Sequence, residues 1–159
     1  MDYNTWPNIY RVPSQRYRKG DHLFYGRAFG VAGLSHHGVF VGNGKVIHFY
    51  PPVVDDLGAA GPSDGIHEKN SAVVQITSAK QFEDLAAQRG TYVCVINHDV
   101  RLSRAQTTRR CFAALGSTGY DAIRNNCEHF VNHCVLGQKR SLQAESLMSS
   151  LTSQLTGGV

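Results

Sequence analysis

No segment of this 159-residue sequence is a long hydrophobic run. A helix needs about 20 predominantly apolar residues to span a bilayer, so we expect no membrane span. The opening stretch MDYNTWPNIY has neither the basic start nor the apolar run of a secretory signal peptide. These two absences predict a cytoplasmic protein whose four cysteines stay reduced.

Nucleic-acid-binding features are also absent. Lysine and arginine together number 16 against 12 acidic residues, which gives a formal charge of +4. The basic residues cluster in RVPSQRYRKG and in RLSRAQTTRR, without a nucleic-acid motif or a pattern of interleaved aromatic residues. We therefore expect no nucleic-acid partner. A solvated basic face with weak, peripheral contact to anionic membranes fits a charge excess of this size.

Metal-binding signatures are missing as well. His129 and His133 are four residues apart, so on a helix they share one face, the usual geometry of a metal-binding pair. No HExxH pattern accompanies them, and Cys127 and Cys134 are not at a zinc-binding spacing. We predict no metal and no cofactor.

The segments that are present do not follow a regular βαβ alternation. Runs of β-branched and aromatic residues predict strands, and apolar residues at helical spacing predict helices. The predicted strands are HLFYGRAF, HHGVFVG, KVIHFYP, AVVQIT and TYVCVIN, and the predicted helices are SAKQFEDLAAQ, SRAQTTRRCFAAL and the segment after Asn126. This order predicts an α+β fold, an antiparallel β-sheet packed against helices.

The chain divides into three parts by composition. Residues 1–18 form an irregular N-terminal arm, residues 19–140 the main domain, and residues 141–159 a polar tail. Within the domain, residues 51–71 are rich in Pro, Gly, Asp and Ser and predict a long surface loop. The tail places leucines among Ser and Thr, which is compatible with a weak amphipathic helix or with disorder, and we expect partial disorder.

The two later helices have recognisable ends. Ser103 followed by Gln106 is a capping-box pattern that predicts a helix start. The predicted inward face of that helix consists of Ala105, Cys111, Phe112 and Leu115. The predicted inward face of the next helix consists of Cys127, Phe130, Val131, Cys134 and Val135, with Gly137 placed to end it.

Cys127 admits two interpretations. It lies in the first turn of its predicted helix, where unpaired N–H groups and the helix dipole stabilise a thiolate. A neighbouring histidine would complete an activated nucleophile. Without such a partner, Cys127 is a small apolar residue on the packed face of the helix. The choice depends on whether a histidine reaches it.

His36 and His48 are the candidate partners, and strand register decides whether they act together. With a two-residue Asn43–Gly44 loop, Val39 would face His48 and His36 would point to the other side of the sheet. With a three-residue GNG loop, Gly38 would face His48 and leave open space between the two rings. A catalytic pair requires the second register, which we predict. His37 must then point the other way and is assigned a structural role, as are His22, His67 and His98.

Two motifs resemble those of a known family. The segments GDHLFYGRAFGVAGLSHHGVFVGNGKVIHF and YDAIRNNCEHFVNHCVLG resemble the lecithin:retinol acyltransferase-like group, which includes the HRAS-like phospholipase A/acyltransferases. The resemblance covers roughly residues 19–137 and includes an H-box with a twelve-residue histidine step and an NCEHF block. It implies a permuted NlpC-type, papain-like fold with the nucleophilic cysteine at a helix N-terminus.

The resemblance also implies roles. Cys127 matches the family nucleophile, His36 the base that deprotonates it, and His48 the histidine that orients or polarises His36. Asn126 and Gly38 are supporting residues. The implied activity is that of a thiol-dependent acyltransferase or phospholipase A, in which an acyl chain from a phospholipid forms a thioester and passes to water, an amine or an alcohol.

Two alternatives remain beside this activity. Picornaviral H-box/NC proteins keep the motif and serve host interaction, and the polar C-terminal end differs from the hydrophobic anchor of mammalian members. The second alternative is a cysteine peptidase or amidase of the NlpC type. An intact set of Cys127, His36 and His48 favours the acyltransferase or the peptidase over the interaction protein.

Overall fold

A single antiparallel β-sheet organises the protein. The computed structural model describes residues 9–26, 35–50, 72–121 and 125–156. In these ranges six strands pair in the order β1-β6-β2-β3-β4-β5, and every pairing is antiparallel. The strands are β1 (Ile9–Tyr10), β2 (His22–Tyr25), β3 (His36–Gly42), β4 (Lys45–Tyr50), β5 (Val73–Ser78) and β6 (Cys94–Ile96). The predicted α+β fold is confirmed.

Helices cover both faces of this sheet. The α-helices of the described ranges are α1 (Ala79–Gln88), α2 (Arg104–Ala114), α3 (Cys127–Leu136) and α4 (Leu142–Thr156). Phe82, Leu85 and Ala86 of α1 pack in one buried cluster with Leu23 and Val46. A second buried cluster joins Cys127, Phe130, Val131, Cys134 and Val135 of α3 to Val39, Ile47 and Phe49. The sheet therefore separates two hydrophobic cores.

Side-chain caps define where three helices begin. Capping boxes occur at Ser78 with Gln81, at Ser103 with Gln106 and at Asn126 with His129. In each, the side chain of the first residue accepts from the backbone of the second, which satisfies a donor left unpaired by the helix. Gly137 ends α3 in the left-handed conformation, at φ 73°. The starts predicted at Ser103 and Asn126 and the end predicted at Gly137 are confirmed.

The predicted inward face of α2 is only partly right. Cys111 is fully buried, but Phe112 and Leu115 are exposed at 48% and 40%, and Ala105 is exposed as well. Thr107 and Thr108 are buried instead. Helix α2 packs on α3. The Thr107 hydroxyl accepts a hydrogen bond from Arg101, and this bond allows a polar side chain of α2 to be buried.

The ends of the chain contain more regular structure than the sequence predicts. The arm contributes β1 and a 3-10 turn at Ser14–Arg16, while residues 1–8 lie outside the described ranges. The tail is helical from Leu142 to Thr156, which agrees with the amphipathic-helix alternative for this stretch. Among the helices described, none is long and apolar enough to cross a membrane. The predicted loop at 51–71 also lies outside the described residues.

Candidate functional site

A β-bulge sets the register of the β3–β4 hairpin. Gly38 faces His48, as the second register predicts, and pairing continues to Phe40 opposite Val46. Gly42 then pairs with Lys45, so Asn43 and Gly44 form a two-residue turn, both with positive φ. The predicted three-residue loop is therefore wrong. The bulge between Phe40 and Gly42 places one extra residue in β3, and this moves the side chains that precede it to the opposite face of the sheet. The predicted pairing of Gly38 with His48 is therefore kept although the turn is shorter than predicted.

His36 and His48 consequently lie on one face and contact each other. Their Nε2 and Nδ1 atoms are 2.8 Å apart, and Nε2 of His48 lies 3.2 Å from the Thr77 hydroxyl. Both rings are buried. Burial lowers the pKa of His48 to about 3, so this ring is neutral at physiological pH.

Gly38 does not leave the predicted open space between the two histidine rings. The space above it, between the two histidines, is filled by Phe82 of α1. The Phe82 ring centroid is 5.5 Å from that of His36 and 5.4 Å from that of His48. A Cβ at position 38 would lie 2.9 Å from Phe82 and 2.8 Å from Val46. Glycine is required here because the aromatic ring packs directly on the backbone.

Cys127 is the first residue of α3, and the body of this helix packs on the face of the sheet opposite α1. Its helix packs on β3 and β4 through the second core. The thiol Sγ donates to the backbone carbonyl of Ser35, at 3.6 Å, and Ser35 immediately precedes His36. The structure thus brings Cys127 to the start of β3, beside the His36 backbone, and leaves the thiol buried at 3% exposure.

Tyr25 connects the two sides of this site. Its ring centroid is 5.3 Å from that of His36, and it pairs with His36 across β2 and β3. Burial, and after it the neighbouring Tyr50, raises the pKa of the Tyr25 hydroxyl well above its usual value, and Cys127 makes a smaller contribution in the same direction. Arg89, at the end of α1, stacks over the Tyr25 ring at 5.9 Å. Aromatic groups therefore enclose the histidine pair.

Asn126 and the first turn of α4 support the cysteine. The Asn126 side chain accepts from the backbone N–H of His129 and donates to the Ser141 hydroxyl at 3.1 Å. Ser141 in turn donates to the buried carboxylate of Glu128 at 2.6 Å. Gln143 donates to the same Ser35 carbonyl that Cys127 contacts, at 3.3 Å. Helix α4 is thereby attached to the start of α3.

The sequence did not predict a second histidine cluster, on the other face of β3. His37 contacts Ser35 and His22 at 2.6 Å and 2.8 Å, and His22 contacts His98 at 2.9 Å. His22 and His37 are fully buried. Alternation along β3 correctly turned His37 away from His36. The remaining neighbours could not be found, because nothing local to the sequence brings residues 22, 37 and 98 together.

His129 and His133, which the sequence placed on one face of a helix, each have a partner near them in the structure. His129 Nδ1 accepts from the backbone N–H of Asn126 at 3.1 Å, within the capping box. His133 is exposed at the other end of α3, where its Nε2 lies 3.2 Å from Arg110 Nη1. His67 lies outside the described residues.

Comparison with known proteins agrees with the motifs. A family model described as lecithin retinol acyltransferase matches residues 15–140. Lecithin retinol acyltransferase of Homo sapiens is 27% identical over 130 residues, which cover 74% of this chain and 56% of that protein. The Rattus norvegicus protein of that name is 30% identical over 128 residues, which cover 70% of this chain and 53% of the relative.

A shorter relative is covered more completely. Phospholipase A and acyltransferase 2 of Homo sapiens is 30% identical over 124 residues, which cover 75% of this chain and 73% of that protein. The chain spans little more than half the length of the lecithin retinol acyltransferases it matches. The family model nevertheless covers most of the chain, including both histidines of the pair and Cys127. The chain belongs to the lecithin retinol acyltransferase family.

Proposed function

We propose that this protein is a cysteine-dependent acyltransferase or phospholipase A that acts on the acyl esters of phospholipids. The observation that supports it best is the joint placement of three groups. His36, at the start of β3, is hydrogen-bonded to His48 on β4, and Cys127 Sγ contacts the carbonyl of the residue before His36. The names of the relatives, an acyltransferase and a phospholipase A and acyltransferase, agree with this chemistry.

The histidine pair suggests which nitrogen accepts the thiol proton. Nε2 of His36 faces His48, so the nitrogen that serves as base is Nδ1. A neutral His36 with an unprotonated Nδ1 carries its hydrogen on Nε2 and donates it to Nδ1 of His48. His48 then carries its own hydrogen on Nε2 and donates to the Thr77 hydroxyl. The Thr77 hydroxyl accepts that hydrogen in this arrangement, which leaves Nδ1 of His36 free of hydrogen and able to act as a base.

The first step transfers the acyl chain to sulfur. His36 takes the thiol proton, and the thiolate of Cys127 attacks the ester carbonyl to form a carbon–sulfur bond. The carbon–oxygen bond of the ester breaks, and the departing lysophospholipid takes the proton from the His36 imidazolium. The backbone N–H groups at the start of α3 and its dipole stabilise the negative charge that develops.

The second step releases the acyl chain. An incoming hydroxyl or amine gives its proton to His36 and attacks the thioester carbonyl. The carbon–sulfur bond breaks, and the thiolate of Cys127 recovers its proton from His36. With water as acceptor the product is a free fatty acid, and with an amine or alcohol it is an amide or ester.

A fluorescent-phospholipid assay on purified protein tests the proposal. We expect the wild type to release labelled acyl chain, and Cys127→Ala or His36→Gln to lose about 10³-fold or more of the rate, because nucleophile and base act as one unit. Cys94→Ala is the matched control, since Cys94 is half-buried on β6 and belongs to neither core cluster.

Three outcomes would contradict the proposal. Equal turnover by the wild type and Cys127→Ala would attribute the activity to a contaminant. No turnover by folded wild type, in vesicles or in mixed micelles, would favour the non-enzymatic H-box/NC interaction protein. Hydrolysis of a peptide in place of a phospholipid would favour the NlpC-type peptidase.

A further inference from the structure

A hydrogen-bonded chain of three histidines lies on the face of β3 opposite His36 and leads to Ser35, whose carbonyl accepts from the Cys127 thiol. It begins at half-buried His98, passes through His22 and His37, and ends at the hydroxyl of Ser35. Each contact is between 2.6 and 2.9 Å. Only its outer member reaches the surface, since His22, His37 and Ser35 are buried.

Such a chain has a direction. A neutral imidazole donates from one nitrogen and accepts on the other, so the rings must all donate inward or all donate outward. Burial lowers the pKa of His37 and of His98 to about 4 and holds that of His22 well below 6.5, so the chain is neutral at physiological pH. The Ser35 hydroxyl completes the chain in either direction, because it donates and accepts equally well.

Ser35 is also attached to the cysteine. Its carbonyl accepts from the thiol of Cys127 and from the side-chain amide of Gln143. Its own peptide unit leads directly into His36. One residue therefore joins the histidine chain, the thiol and the backbone of the proposed base.

We propose that Ser35 is a positioning residue for Cys127 and His36, and that the His98–His22–His37 chain holds it in place. This inference rests on the proposed function. Without the Ser35 hydroxyl bond, the start of β3 loses its attachment to the second face of the sheet. The thiol and its base then lose their relative alignment, on which a proton transfer between them depends. A role of this kind lowers the turnover number and leaves the affinity for substrate unchanged.

The decisive variants are Ser35→Ala and Ser35→Thr. Alanine removes only the hydroxyl, and threonine restores it. We expect Ser35→Ala to lower kcat by roughly ten- to a hundred-fold with KM unchanged, because small misplacements of reacting groups have effects of that size. Threonine should recover most of the loss. His98→Ala, which removes the outer end of the chain, should lower kcat by a smaller factor.

A second readout does not require lipid turnover. The rate at which iodoacetamide alkylates Cys127 at pH 7, followed by mass spectrometry, should fall in Ser35→Ala and recover in Ser35→Thr. His133→Ala is the matched control, because this exposed histidine on α3 lies outside the chain. Thermal unfolding identifies any variant whose loss comes from misfolding.

The outcomes separate the two proposals. Wild-type kcat and wild-type alkylation in Ser35→Ala would overturn the positioning role and leave the proposed function standing. An inactive wild type would contradict the proposed function, and the alkylation rates would still decide the role of Ser35. If Ser35→Thr misfolds, Ser35→Ala and His98→Ala decide the question. Cys127 alkylation rates equal to that of the wild type in both variants would overturn the positioning role of Ser35.

Discussion

Phe82 packs directly against Gly38 and both histidines of the pair, so position 38 has no room for a side chain. We predict that Gly38→Ala destabilises the protein by about 1–3 kcal/mol, the usual cost of overpacking. A Cβ there would meet Phe82 at 2.9 Å and Val46 at 2.8 Å. Chemical denaturation measures the change in the free energy of unfolding.

Gly26→Ala is the matched control for this prediction. Gly26 follows β2, has no atom within 4 Å of a Cβ built on it, and does not have a positive φ. We expect it to change stability by less than about 0.5 kcal/mol. Equal effects of the two substitutions would mean that Phe82 moves aside at little cost.

The four thiols should differ in reactivity. A hydrogen bond to Cys134 and burial raise the pKa of Cys111, and burial raises that of Cys94. Cys127 lies at a helix N-terminus, which favours the thiolate. We predict that iodoacetamide at pH 6 to 7 labels Cys127 first, as read by peptide mass spectrometry. Earlier labelling of Cys94, Cys111 or Cys134 would contradict this order.

Among the elements, α4 depends on polar contacts at its first turn. The Ser141 hydroxyl accepts from the backbone N–H of Ala144 and donates to Glu128, whose carboxylate is fully buried. We predict that Ser141→Ala costs about 2 kcal/mol or more, since it removes both a helix cap and a donor to a buried charge. Denaturant unfolding measures the loss.

Ser149→Ala in the same helix is the control, because Ser149 is exposed. It should change stability by less than about 0.5 kcal/mol.

Loss of α4 contacts should also make the Ser35 carbonyl lose its bond from Gln143, so Ser141→Ala should slow alkylation of Cys127. Unchanged alkylation together with a large destabilisation would separate the helix from the site.

Among the residues that the structure describes, His22, His37 and His48 are fully buried, and burial lowers the pKa of each below the unfolded value of 6.5. Between pH 6.5 and about 4 the unfolded chain binds more protons than the folded one, so the free energy of unfolding falls as pH falls. We predict a loss of roughly 1 kcal/mol per buried histidine from pH 7.5 to pH 5.5.

Urea denaturation at a series of pH values above 5 tests this dependence, before carboxyl groups contribute. His48→Gln should reduce the slope of the unfolding free energy against pH by the amount that corresponds to about one proton taken up on unfolding, because one buried imidazole no longer titrates. A constant free energy of unfolding between pH 7.5 and pH 5.5 would contradict the prediction.

The surface combines the two basic clusters of the sequence around Asp21. Arg104 forms an ion pair with Asp21 at 2.7 Å, Arg18 lies 3.9 Å from it, and Arg101 donates to the adjacent Gly20 carbonyl. We predict binding to anionic vesicles that weakens from low to physiological salt, at on the order of 1 kcal/mol per near-surface cation. Co-sedimentation at two salt concentrations measures it.

Arg18→Glu should weaken this binding, since Arg18 is exposed. Neutral vesicles should bind little. Salt-insensitive binding to neutral vesicles would assign attachment to the exposed apolar residues of α4, which are Met148, Leu151 and Leu155.

The sequence by itself determined the features whose causes are local. Caps at Ser103 and Asn126, the left-handed Gly137 and the apolar face that begins at Cys127 all depend on residues within one or two turns. Alternation along β3 likewise separated His36 from His37.

Only the tertiary structure decided the features that depend on distant partners. The bulge between Phe40 and Gly42 sets the strand register independently of the turn length. Because both faces of the strands are buried, the register that places apolar side chains in both cores is selected. Phe82 filled the space over Gly38 from a helix some forty residues away. His22, His37 and His98 met through the pairing of three strands and a following loop, and such long-range packing leaves no periodic signal in the chain.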